Sequence, residues 1–120
     1  MKKTQLINDP IVGPINVTDI LPVIEHPRFQ LMRYRRQMGA SHLIFPSATH
    51  TRFAHSLGAY KRTHDRMTWW LESKIVSKRE ARDLEIYAAT HDIGHGPLSH
   101  LIEPLCSQNH NQHGLDLLEE

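Results

Sequence analysis

Residues 91–100 read HDIGHGPLSH, and no other stretch constrains the fold as strongly. Three histidines and one aspartate fall within ten positions, interrupted by two glycines and a proline. Gly94, Gly96 and Pro97 stop any helix that arrives at His91, so the chain turns where its near-neutral titratable groups are densest. An imidazole is costly to bury alone, and an unperturbed pKa of about 6.5 suits it to ligation or proton transfer. The rest of the chain therefore has to bring partners to this turn.

The flanking pattern is helical. Leu84, Tyr87, Ala88 and His91 share one stripe, which predicts an inward-pointing His91. Ser77 and Glu80 form a Ser-x-x-Glu capping box that starts this helix. Upstream, Thr49 to Thr51 offers a cap for a helix over about residues 52–72, with Phe53, Leu57, Tyr60, His64 and Met67 at helical spacing. Thr18-Asp19 reads as the cap of a short helix to about Glu25, and Pro27 as the first position of a helix reaching Met38, which Gly39 ends. ASHLIFPSATH is expected to be a loop with an apolar plug. Pro97 reopens a short helix to about Cys106, and a last helix starts near Gln112. The opening INDPIVGPINV sets β-branched residues beside Asp-Pro and Gly-Pro, as in a small hairpin. The predicted class is mostly α, with a hairpin or extended segment over 1–17 and a helical unit over 18–120.

Composition narrows the function. A length of 120 residues fits one domain, and a net charge of +1 gives no sign of a nucleic-acid or anionic-membrane surface. No apolar run approaches the roughly 20 residues that cross a bilayer. Cys106 stands alone, which excludes an internal disulfide and suits a reducing compartment. A cytoplasmic protein is expected. Histidine is the outlier, with ten copies against fourteen Lys plus Arg.

Neutral imidazoles with a carboxylate are donors that a divalent ion takes, and Asp92 could serve as a terminal or bridging oxygen. His55 is the best partner on a neighbouring helix, because Gly58 and Ala59 on its face are small enough to admit a second helix. Arg52 lies one turn earlier on the same side. It is either a solvated helix-start charge or a fork for phosphate oxygens. His64-Asp65 repeats the dipeptide in mid-helix, with no glycine after it, and reads as packing. His26, His42 and His50 fall in loops or at helix ends. Trp69-Trp70 is either an interface patch of a homo-oligomer or one buried and one partly covered ring.

With HTRFAHSLG and HDIGHGPLSH both present, the chain resembles the HD-domain phosphohydrolases, and within them the deoxynucleoside triphosphate triphosphohydrolase, dGTPase-like branch. INDPIVGPI, PRFQLMRYRRQMG and FPSATHTRFAHSLG resemble segments of that branch in the same order. The resemblance implies a helical HD fold in which His55, His91 and Asp92 hold a divalent ion (Mn, Fe, Zn, Ni or Mg). It implies that His95 assists at the attacked phosphate, that His100 lines the phosphate site, and that Arg52 and Gln37 contact the nucleotide. His113 is identified with a further active-site histidine, and His110 competes for that place; Gly114 stands where the branch has glutamate. The implied substrate is a deoxynucleoside triphosphate or related phosphate ester, released as deoxynucleoside and triphosphate.

That branch closes its metal site with an aspartate beyond the span of this sequence. The resemblance therefore makes residues 1–120 a partial HD domain, the N-terminal portion of a longer enzyme or a truncated product with weak activity. Two other readings stay open: an HD phosphodiesterase or nucleotidase on another ester, and a non-catalytic nucleotide-binding or oligomerising remnant.

Overall fold

A computed structural model of the chain describes residues 3–98, 103–105 and 109–119. Strand β1 (Leu6–Asp9) pairs antiparallel with β2 (Gly13–Asn16), with Ile7 opposite Ile15. The turn between them is made by Asp9, whose Oδ1 accepts from the backbone N–H groups of Ile11 (2.8 Å) and Val12 (2.9 Å). Gly13 then takes φ +78, a value that glycine reaches without strain. The expected hairpin is present.

Helix α1 (Leu21–Glu25) begins after Ile20 and not at Thr18-Asp19. The Thr18 hydroxyl is engaged elsewhere: it donates to Asn16 Oδ1 (2.7 Å) and accepts from Gln5 N–H (2.9 Å). It ties the hairpin together instead of capping a helix. Helix α2 (Pro27–Leu31) runs on into a 3-10 turn at Met32–Tyr34 and stops well short of Met38. Arg35 is extended, and its carbonyl accepts from Arg52 N–H at 2.8 Å. Gln37 N–H donates to the His50 carbonyl at 3.0 Å, and Arg36 bridges Thr51. Long-range backbone pairing has replaced the helical bonds that the local pattern suggested.

The apolar plug also fails to form. Leu43 and Ile44 are each 77% exposed, beside a 3-10 turn at Gly39–Leu43 that opens with Gly39 at φ +54. With residues 35–37 tied to 50–52, the loop between them bulges outward and cannot reach the core.

Helix α3 (Arg52–Glu72) has the expected bounds, and Thr51 Oγ1 accepts from Ala54 N–H at 3.2 Å. Helix α4 (Lys78–Thr90) opens with the predicted capping box, both bonds present between Ser77 and Glu80. The core lies where Ile15, Ile20, Phe29 and Met32 meet Phe53, Leu57 and Tyr60 of α3. Phe29 and Phe53 pack edge to face at 5.5 Å, and the Arg33 guanidinium sits 3.6 Å over the Phe53 ring.

The buried face of α4 is Ala81, Glu85 and Ala89. The Leu84–Tyr87–His91 stripe instead forms one wall of an open groove of about 360 Å³, with Met67 and Trp70 opposite. Glu85 tolerates burial because His64 Nδ1 lies 2.9 Å from its Oε1.

Helix α5 (His110–Glu119) starts slightly earlier than expected, behind Asn109, whose Oδ1 accepts from Gln112 N–H at 2.9 Å. Its Gly114 rests on Gly94. The expected short helix from Pro97 is represented among the described residues by a 3-10 turn at Glu103–Leu105; His100 and Cys106 lie outside them. No helix among the described residues is long and apolar enough to cross a membrane.

Candidate metal centre

His91 is the C-cap of α4, and its N–H still reaches back to the Tyr87 carbonyl at 2.9 Å. Two tight turns follow, closed by Ile93 N–H to Thr90 O (3.0 Å) and His95 N–H to Asp92 O (3.1 Å). This sequence of turns rolls Asp92 and His95 inward; both are buried. His91 Nδ1 lies 2.9 Å from the Ala88 carbonyl. A carbonyl only accepts, so Nδ1 carries the proton there and Nε2 keeps its lone pair for ligation.

His55, in the first turn of α3, completes the group. Its ring centroid is 5.4 Å from that of His91, and its Nε2 is 3.6 Å from Asp92 Oδ2. One donor atom from each of His55, His91 and Asp92 lies within 4.8 Å of the others. Two imidazole nitrogens and a carboxylate at that spacing fit a single divalent ion of the first transition row.

The charges are arranged for the same end. Burial alone would raise the pKa of Asp92. The hydrogen bond from Gln37 and the charges of His91, Arg52 and His95 outweigh it, and hold the carboxyl below its usual range. Burial lowers the pKa of His55 against the pull of Asp92, helped by His91, Arg52 and His50. The shift favours the neutral imidazole, the form that can donate a lone pair. In a proton NMR titration its ring signal should move at lower pH than that of an exposed histidine; a midpoint at or above the ordinary value of about 6.5 would contradict this burial.

Arg52 and Gln37 both reach the cluster. Arg52 is 2% exposed, and its Nη1 donates to Asp92 Oδ2 at 2.8 Å. It is not a solvated helix-start charge. Gln37 Nε2 donates to the same oxygen at 3.1 Å.

His95 Nε2 lies 3.5 Å from Asp92 Oδ1, and its ring stacks on His110 at 3.9 Å with planes 15° apart. His113 is exposed on α5. Of the two competing histidines, the structure brings His110 to the cluster. The signal was Gly114: four residues after His110, it shares that helical face, and it is the residue that packs on the Gly94 turn.

The close approach expected at Gly58 is absent, since a Cβ there would meet nothing within 4 Å. Gly94 and Gly114 supply it instead. His64 stands apart from the centre, bonded to Glu85 and stacked on Tyr60 at 5.9 Å, as its mid-helix setting predicted. His26 and His42 make local bonds, from Arg28 N–H (3.3 Å) and to the Gly39 carbonyl (3.1 Å).

No family model matches the chain. Among curated proteins it is similar to the deoxynucleoside triphosphate triphosphohydrolase SAMHD1 of Bos taurus, 38% identical over 104 residues that make up 82% of this chain and 18% of that protein. The Homo sapiens SAMHD1 is 39% identical, with 82% of this chain and 16% of that protein covered. The Dictyostelium discoideum SAMHD1 homolog is 35% identical over 111 residues, 89% of this chain and 22% of its own length. The chain thus spans less than a quarter of these relatives. Among solved structures, a phosphohydrolase from Bacteroides thetaiotaomicron matches with a TM-score of 0.84 and 36% identity, over 96% of this chain and 30% of that one. These matches in sequence and fold support an HD-type phosphohydrolase, a relative of part of the deoxynucleoside triphosphate triphosphohydrolase-like branch.

Proposed function

We propose that His55, His91 and Asp92 hold a divalent ion, and that the protein hydrolyses deoxynucleoside triphosphates to deoxynucleoside and inorganic triphosphate. The observation that carries the reading is the donor set itself, with two imidazoles from separate helices and an ionised carboxylate within 4.8 Å. Such an ion supplies Lewis acidity to a phosphoryl oxygen and to the attacking water. The choice of substrate is supported by the named activity of the SAMHD1 relatives.

The chain's own residues do the remaining work. Asp92 contributes the negative charge that draws the ion, and the Ala88 carbonyl fixes the ring of His91. His95, buried beside Asp92 and backed by the His110 ring, is placed to hold a proton for the leaving oxygen. Arg52 acts here through Asp92.

The test is metal content by elemental analysis. His91→Ala and Asp92→Ala should lose the ion, whereas His64→Ala should keep it. Equal loss in all three would show that folding, and not ligation, was disturbed. Triphosphate release from dGTP in the presence of Mn or Fe tests the substrate. Hydrolysis of a simple phosphodiester with no triphosphate from dGTP would replace that substrate while leaving the metal centre in place.

A further inference from the structure

The turn that carries Asp92 and His95 runs out on Gly96-Pro97. In a continuing helix the Ile93 carbonyl would take the N–H of residue 97, but a proline has none to give. Ile93 and His95 are both buried, so carbonyls here need a donor brought by another segment.

Arg35 brings it. From the extended arm that pairs with residues 50–52, its Nη1 donates to the His95 carbonyl at 2.7 Å and more loosely to the Ile93 carbonyl at 3.5 Å. The backbone carbonyl of the same residue accepts from Arg52 N–H at 2.8 Å. Arg52 opens α3, one turn before His55. A single residue thus joins the start of the helix that carries His55 to the turn that carries His95.

Such a placement is costly for a cation. Arg35 is half-buried, and burial together with the charge of Arg28 pushes its pKa below the ordinary arginine value. Among the described residues its guanidinium donates to these two carbonyls and pairs with no acid. The grip on the turn is what offsets that cost. The turn in question positions His95, whose ring stacks on His110 at 3.9 Å and whose Nε2 lies 3.5 Å from Asp92 Oδ1. Gly96 follows at once and leaves the backbone free to swing, so the hold on the His95 carbonyl decides where that ring lies.

We propose that Arg35 is a positioning residue for His95: its guanidinium fixes the backbone of the turn so that the imidazole stays stacked on His110 and faces the reacting phosphate. The role at the phosphate rests on the function proposed above; the stack does not. None of the Arg35 hydrogen bonds goes to His55, His91 or Asp92, so the metal ligands should survive its loss.

Arg35→Met keeps the apolar stem and removes the donors, whereas Arg35→Lys keeps a cation that can serve one carbonyl at a time. The first readout needs neither metal nor substrate. In proton NMR of the metal-free protein at one fixed pH, stacking displaces the ring signals of His95 and His110 upfield, and His110→Gln assigns them. Arg35→Met should lose that displacement, and Arg35→Lys should recover most of it. The second readout is triphosphate release from dGTP with Mn. Arg35→Met should lower kcat by about 100-fold, with KM and cobalt(II) affinity near those of the parent, and Arg35→Lys should regain much of the rate. Unchanged ring signals in Arg35→Met, with only a lower melting temperature, would overturn the proposal and leave Arg35 a structural residue. A lost stack with full kcat would overturn it too. A parent that releases no triphosphate would overturn the substrate reading, and the ring signals would still decide for or against Arg35. Should Arg35→Met not fold, Arg35→Gln, whose amide stops short of the carbonyls, is read in the same two ways.

Discussion

Gly94→Ala should cost more than about 3 kcal/mol and lower the melting temperature by at least roughly 10 °C, whereas Gly114→Ala should leave stability equal or slightly improved. A Cβ on Gly94 would fall on the carbonyl oxygen of His110, and would lie 2.5 Å from Gly114 N and 2.8 Å from Gly114 Cα. All three are backbone atoms, so no rotamer change can make room, and α5 must lift from the turn. The view from the other side differs. A Cβ on Gly114 would meet Gly94 N at 3.5 Å and Ile93 Cγ2 at 3.8 Å, which is ordinary contact. Alanine there also favours the helix by up to about 1 kcal/mol over glycine. Thermal and denaturant melts of the two variants measure the contrast. Similar losses in both would mean that α5 does not rest on the Gly94 turn in solution, and the His95–His110 stack would fall with it.

That asymmetry was hidden in the sequence, where Gly94 reads as a turn residue that stops the helix and Gly114 as a departure from the HD pattern. Backbone freedom is not what position 94 requires: among the described residues only Gly13, Gly39 and Lys74 have positive φ. What it requires is the absence of a side chain. Local signals did fix α3 and α4, because Thr51, Ser77 and Glu80 satisfy free backbone groups within three residues of themselves. The His55, His91 and Asp92 grouping was legible too, since helical spacing and the motif order carry it.

The segment from Met32 to Phe45 was not legible. Its helical periodicity up to Met38 competes with a pairing to residues 50–52, and no local pattern reveals a partner so far along the chain. The face of α4 was misjudged for a related reason. Periodicity finds the larger apolar stripe, but the helices close on Ala81 and Ala89, and the larger residues border a groove. Spacing likewise put Arg52 beside His55 without telling whether its guanidinium turned outward to an anion or inward to Asp92.

The inward turn has a measurable consequence. Arg52→Ala should destabilise the metal-free protein by about 3–5 kcal/mol at neutral pH, the cost of leaving one member of a buried pair without its counter-charge. The side chains of Arg52 and Asp92 are 2% and 9% exposed, so water cannot readily substitute. The pH dependence gives the sign. In the parent, Asp92 has a depressed pKa when folded. It therefore contributes stability that is present above the unfolded value of about 3.9 and is lost as pH falls through the folded value. Removing Arg52 takes away one of the charges that oppose burial, so the folded pKa rises toward or above the unfolded one. The variant then gains from protonation where the parent loses. The gap between the two proteins should be widest near pH 7 and should narrow below about pH 4. A divalent ion should close part of it at neutral pH, because a cation bound by the folded state both stabilises it and replaces the lost positive charge. Denaturant melts at several pH values, with and without Mn, read all three effects. An Arg52→Ala variant as stable as the parent at pH 7 would mean that the ion pair does not hold Asp92. If that variant also bound dGTP poorly, the arginine would belong to the phosphate, as the family resemblance alone implied.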